Sequence, residues 1–352
     1  MYTGIISIVS VFLLSVFTLN IQALEVGSYF SSKISSPAIN FNADSSHWSS
    51  NSRGDYAYGD ARVGSWFSVG GNITLGVEQR LTHYLTFTAE TAEFYGALES
   101  NEVPVGIYPL SLRINSAKSN ALFVKYQFYP VDDLSVEISA YFLKGLSSQQ
   151  AVISGLGKVL LNPTNSESAY SYKYELDYLY GRNKLINTVF GPPPVSAKGY
   201  GHSFDLEMEY IINISLSAKL TFQDVFNRIH WSQVNYDNGC IARPSACSLR
   251  ETEARSDTQS LPYSLTAALS HALDYGSQET SAHIEFVKLA RHESIWLGLN
   301  SWGLGGYVDT LNETFKLSYE SERLAVKWAF DDVNYNRANH WQITLGASWP
   351  VL

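Results

Sequence analysis

Charged residues recur in this sequence as the polar partners of alternating apolar ones. Lys125 sits among Leu122, Val124, Tyr126 and Phe128, and Glu137 among Leu134, Val136, Ile138 and Ala140. Asp205, Glu207 and Glu209 alternate with Phe204, Leu206, Met208 and Tyr210. Glu90, Lys219, Glu285, Lys316 and Lys327 stand in the same relation to Ala89, Leu220, Ile284, Phe315 and Trp328. Side chains of an extended chain point to opposite faces in turn, so all ten are expected on one polar face. Acidic and basic types are mixed there. Such a face could line a passage, narrow it by pairing across it and select solutes by charge. Pairing would also satisfy the charges if they did nothing else, because a buried ion needs a partner.

Other chemistries find less support. His292-Glu293 opens HESIW but lacks the second histidine four residues on that a metalloprotease helix requires. GLGG at 303–306 reads as a turn, no Walker loop is present, and no G-x-S-x-G elbow occurs. A lipid hydrolase would need His271 or His283 beside a serine on a strand face, since the histidine must take the nucleophile's proton. Cys240 and Cys247 lie in the turn-rich NGCIARPSACSLR with no neighbouring Cys or His to complete a metal set. In an oxidising compartment they are expected to close a small disulfide loop. No cofactor and no metal is expected.

The elements that must position these residues are strands. Gly201–Asp224 is the clearest case: two alternating runs flank Ile211-Ile212-Asn213 and predict an antiparallel hairpin with one oily and one polar face. Placing Tyr210 opposite Ile214 sets Asp205 against Lys219 and keeps both faces pure. Ala121–Phe142 forms a second such hairpin around Pro130-Val131-Asp132-Asp133. Further alternation runs from Trp66 to Val77, past a short connection at Leu81-Thr82-His83, and through Leu85, Phe87 and Ala89. After Leu261 it resumes in quick succession to Trp349. Residues 98–118, 145–200 and 230–260 carry less rhythm and are expected as long loops.

The 352 residues carry 16% charged and 14% aromatic side chains at a mean hydropathy of -0.09. Ordinary soluble domains hold roughly 25% charged residues. Low charge with middling hydropathy suits a chain that alternates throughout, and a net charge of -9 argues against nucleic acid as a partner. The apolar run from Ile5 to Phe17, followed by Ala23, predicts a signal peptide over 1–23. Residues 24–60 are expected as a leading strand or inward-tucked segment, and 61–352 as the main body.

A soluble sandwich would cover the oily faces with a second sheet; a transmembrane barrel would give them to lipid. Turns near 82, 131, 212, 275, 303 and 322 fall on one side, and loops near 110, 170, 245 and 335 on the other. That sorting predicts an all-β, antiparallel transmembrane barrel of about 14 strands, with short periplasmic turns and long extracellular loops. Tyr84, Tyr129, Tyr210, Trp302 and Trp349 near strand ends would serve as interfacial girdles.

The run SIWLGLNSW through HWQITLGASW resembles the carboxy-terminal strands of bacterial outer-membrane barrels of the fatty-acid-transporter-like class. The class includes barrels of conjugal-transfer type, and TFQDVFNRIHW is similar to its strand ends. An Asn-Pro-Ala plug motif is absent, and Leu352 stands where such barrels end in an aromatic residue. The resemblance implies a Gram-negative outer-membrane protein, inserted by the barrel-insertion machinery and surrounded by outer-membrane lipid. It also implies a channel or passive transporter for small or hydrophobic solutes. The alternative is a non-transporting barrel that works as a scaffold through its long loops.

Overall fold

The computed structural model describes residues 24–37, 55–100, 106–159, 170–178, 198–242, 250–275, 278–334 and 338–351. Sixteen strands run through them. They are β1 (Leu24–Ser35), β2 (Tyr56–Val69), β3 (Ile73–Phe87), β4 (Gly106–Val131), β5 (Leu134–Val159), β6 (Tyr170–Tyr178), β7 (Lys198–Asn213) and β8 (Leu216–Ala242), then β9 (Arg250–Ser260), β10 (Ser264–Tyr275), β11 (Gln278–Leu289), β12 (His292–Ser301), β13 (Leu304–Asp309), β14 (Thr314–Glu320), β15 (Leu324–Phe330) and β16 (His340–Val351). One helix, α1 (Ala89–Ser100), follows β3.

Fourteen of these strands close a ring. β1 pairs with both β16 and β2, β5 pairs with β7, and β8 pairs with β10, so the wall closes through antiparallel neighbours without β6 or β9. A closed ring leaves no unpaired edge, which is what lets strands cross a bilayer. The amino-terminal strand β1 is thus part of the wall, and the boundary expected at 60/61 falls inside β2. The expected signal peptide lies outside the described residues.

Among the described residues the oily faces touch no second sheet. Leu269, Ile284 and Leu297 stand side by side on β10, β11 and β12 and are 45%, 44% and 46% exposed. Phe204, Val124, Phe315, Trp328 and Leu345 are exposed in the same way. An apolar belt of this extent is the surface of a protein solvated by lipid. Ile284→Arg is therefore expected to destabilise the barrel by about 2–4 kcal/mol in bilayers. Urea unfolding in lipid vesicles checks it; an unchanged midpoint would mean that Ile284 faces water.

Several local expectations are corrected. The first turn is Gly70-Gly71-Asn72 instead of 81–83, because both glycines adopt positive φ (65° and 79°) and fold β3 back on β2. The Gly201–Asp224 hairpin pairs Tyr210 with Ala218 and Glu209 with Lys219, four residues out from the expected register. Asn213 causes the slip: its side chain accepts from the backbone N–H groups of Ser215 and Leu216, a turn that alternation cannot reveal. An even slip leaves both faces pure. The strand expected through Glu90 stops at Phe87, where Thr88 caps α1 by accepting from Thr91 N–H at 3.3 Å. Tyr129, Tyr210, Trp302 and Trp349 are exposed at the short-turn rim, but Tyr84 points inward onto Tyr58, with ring centroids 6.5 Å apart.

The expected loops are largely sheet. β4 and β5 are 26 residues each and β8 is 27, against the 9–11 that span a bilayer. Beyond the start of β7, β6 takes its place between β5 and β8, and β9 adds to β8. The wall thus continues upward as β4-β5-β6-β8-β9. Residues 160–169, 179–197 and 243–249, with Cys247 and so the expected disulfide to Cys240, lie outside the described residues.

Candidate functional site

At the short-turn end the inward face carries spaced ion pairs. Lys125 Nζ lies 3.0 Å from Glu137 on the neighbouring strand, Lys219 Nζ 2.6 Å from Glu207, and Lys327 Nζ 2.6 Å from Glu320. All six side chains keep roughly a third to a half of their surface. Glu209 sits opposite Lys219 in the same vestibule. Glu90 does not join them: it is exposed on the first turn of α1, at the opposite end of the barrel.

Higher up, charges reach across the interior. Asp224 on β8 binds Arg62 on β2 and, at 2.6 Å, Arg80 on β3. Arg62 also holds Asp60 at 2.9 Å, Arg80 binds Glu78, and Glu78 accepts from Tyr29 Oη. Tyr141 donates to Asp205 at 2.8 Å, and the Arg80 guanidinium lies 3.9 Å above the Tyr141 ring. Ser203 and Asn227 donate to Asp224 at 3.0 and 3.2 Å. Arg62 and Asp224 belong to strands five places apart in the ring, so their contact is a strut between walls.

A bulge aims the strut's central residue. Pairing between β7 and β8 shifts around Phe204, and Asp224 takes a φ of 59°. Two residues of β8 then oppose one of β7, which rotates the Asp224 side chain inward. Aspartate tolerates this left-handed conformation better than most residues. Its N–H is held by the Asp205 carboxylate at 2.8 Å. Parity counting through Thr221 and Gln223 cannot find Asp224, because the bulge breaks the count. Arg62 and Arg80 were within its reach: they sit at polar positions directly before outward Val63 and Leu81.

A second group crosses the interior near the long-strand end. Tyr56 Oη on β2 lies 2.7 Å from His292 Nδ1 on β12, and Ser294 Oγ lies 2.8 Å from Nε2. His340 stacks on His292 at 5.7 Å. Lys316 binds Glu285 at 3.0 Å and lies 4.6 Å from the ring centres of both Trp296 and Tyr307, a cation–π cradle. His283 lies 3.5 Å from the other Glu285 oxygen. Serine–histidine contacts among the described residues thus fall at His292 and at His83, whose Nδ1 lies 2.6 Å from Ser116 Oγ, not at His271 or His283. His292 and Ser294 are each 1% exposed, which leaves a substrate no approach to the hydroxyl.

Above the strut a buried core packs β8 against β4 and β5. Trp231 is fully buried in a slot left by Gly145 and Gly199, where a Cβ would overlap its ring. Its Nε1 donates to Gln259 Oε1 at 2.9 Å, and Ser148 donates to the same oxygen at 2.9 Å. Gln259 Nε2 in turn reaches Asn115 at 2.7 Å and the Ser116 carbonyl at 2.9 Å. β9 is thereby tied to β4 and β5, which it does not pair with as a strand.

The ring closure, the lipid-facing belt and the polar interior settle the architecture. The chain is built as a closed, 14-stranded antiparallel barrel. Among solved structures it is similar to the TodX deltaS2S3 mutant monoaromatic hydrocarbon channel, at 12% identity and a TM-score of 0.42, covering 96% of this chain and 91% of that one. It is similar also to the CymD monoaromatic hydrocarbon channel, at 12% identity, a TM-score of 0.39 and the same coverage of 96% and 91%. The outer-membrane protease OmpT from Escherichia coli matches at 9% identity and a TM-score of 0.29, over 96% of this chain and all of that one. No family model and no curated protein matches the sequence. These likenesses concern the fold alone.

Proposed function

We propose that this protein is an outer-membrane channel for passive passage of small solutes, held shut by the Arg62–Arg80–Asp224 strut. The observation that carries it is the contrast along the lumen. Half-exposed ion pairs line a vestibule from the short-turn end, and a buried layer of paired charges then bars the way. A wall needed only for rigidity could hold apolar residues there, since a buried ion pair stabilises no better than well-packed hydrophobic groups. Lumenal charge favours polar solutes over hydrophobic ones. Passage would require the strut to separate, with water replacing each lost contact.

Planar-bilayer recording tests this on the wild type and on a triple variant, Arg62→Ser, Arg80→Ser and Asp224→Ser. The wild type should conduct weakly and the variant at least about tenfold more. The open variant should also prefer cations, because Asp60, Glu78 and Asp205 remain without their arginines and attract them. A folded variant that stays closed would remove the gate, and a bilayer silent for both proteins would remove the channel. The 26- and 27-residue strands that build the extension support a second role, display of β6 and β9 to a partner.

A further inference from the structure

The outer wall contains a groove of about 520 Å³, a size in the range of single-ligand sites, lined by two neighbouring rows of side chains. One row is apolar: Val77, Leu122 and Phe142, each more than half exposed, with Ser65 at its end. The row above reads Val63, Gln79, Asn120 and Lys144 across β2, β3, β4 and β5. Gln79 donates to Asn120 at 3.1 Å, and Lys144 has no carboxylate partner among the described residues. Lys118 stands outward one row higher, opposite Leu81. Amides and unpaired ammonium groups on a lipid-facing wall are costly unless something polar meets them.

Their height says what that is. Lys144 lies ten residues above Leu134, the base of β5. At about 3.3 Å per residue and a tilt near 40°, it stands roughly 25 Å up, at the top of the apolar band. Gln79 and Val63 lie lower, within the band. The groove therefore descends from a cationic upper end to an apolar lower end, matching a lipid with its phosphate up and its chain down.

We propose that this groove binds the phosphorylated, acylated disaccharide headgroup lipid of the outer leaflet, lipid A of lipopolysaccharide. Lys144 meets a phosphate, with Lys118 contributing charge from above. Asn120 and Gln79 meet sugar hydroxyls or the amide-linked chain, and one acyl chain lies along Leu122, Val77 and Val63. Of the membrane's lipids this one combines several chains with anionic phosphates on a sugar that the amide pair can engage. The assignment rests on the outer-membrane placement above, but not on transport.

Native mass spectrometry of the full-length protein, folded in detergent and exposed to lipid A, to dephosphorylated lipid A and to phosphatidylglycerol, tests the site. Retention of lipid A should exceed that of either competitor by at least about tenfold. Lys144→Ala with Lys118→Ala should abolish the preference, and Gln79→Leu with Asn120→Leu should weaken it. Equal retention of phosphatidylglycerol, or lipid A retained undiminished by both double variants, would overturn the proposal. Bilayer conductance read on the same preparations separates failures: a protein that conducts but ignores lipid A loses only this site, whereas one that binds lipid A without conducting loses only the channel.

Discussion

Asp224→Ala should destabilise the barrel by about 3–5 kcal/mol, the usual penalty for removing one partner from a buried ion pair. Asp224 is the carboxylate that both Arg62 and Arg80 share, and it also accepts from Ser203 and Asn227. Without it two guanidinium groups stay buried with Asp60 and Glu78 as their remaining acids. Asp224→Asn keeps the size and part of the hydrogen bonding but removes the charge, so its cost should be smaller. The serine triple instead strands Asp60, Glu78 and Asp205 without their arginines, so its cost should be no smaller than that of Asp224→Ala. Urea unfolding in lipid vesicles, with thermal shifts of gel mobility as a second measure, orders the three. A single Asp224→Ala as stable as the wild type would show that water already reaches the strut.

Trp231→Ala carries the other large effect, about 3–5 kcal/mol for emptying a fully buried aromatic site. The slot cannot collapse readily, because its walls are the backbones of Gly145 and Gly199 on two strands fixed by their own ladders. Trp231→Phe separates packing from hydrogen bonding. It leaves most of the slot filled and removes only the Nε1 donor to Gln259, whose oxygen still accepts from Ser148. The expected cost is then about 0.5–1.5 kcal/mol for the lost bond, plus a small packing term. If the two variants unfold alike, the hydrogen bond and not the ring holds the extension down. Limited proteolysis within β9 gives an independent readout, since an unseated β9 should be cut first.

Alternation alone was enough to read the barrel. Phe204 to Tyr210 and Leu220 against Asp205 to Glu209 and Lys219 assign two faces whatever the register, because a strand's side chains repeat every two residues. The same rule survived a four-residue slip in that hairpin and recovered the number of strands in the ring. It failed wherever a local conformation resets the beat. Thr88 ended a strand by capping a helix, and the glycine pair at 70–71 turned the chain ten residues early. Long rhythm-poor stretches such as 145–159 became strands because β4, β6 and β8 offered them partners, a pairing no local pattern records.

What the sequence by itself determined is therefore which side chains face lipid and which face inward, since that depends only on neighbours along the chain. Which inward charges meet was decided by the tertiary structure. Arg62 and Asp224 are 162 positions apart and touch only because a closed ring brings β2 and β8 face to face and a bulge turns Asp224 inward. Tyr56 and His292, separated by 236 positions, meet for the same reason. Ring closure is a property of the whole wall, so whether the lumen is barred or open is settled only when the last strand pairs with the first.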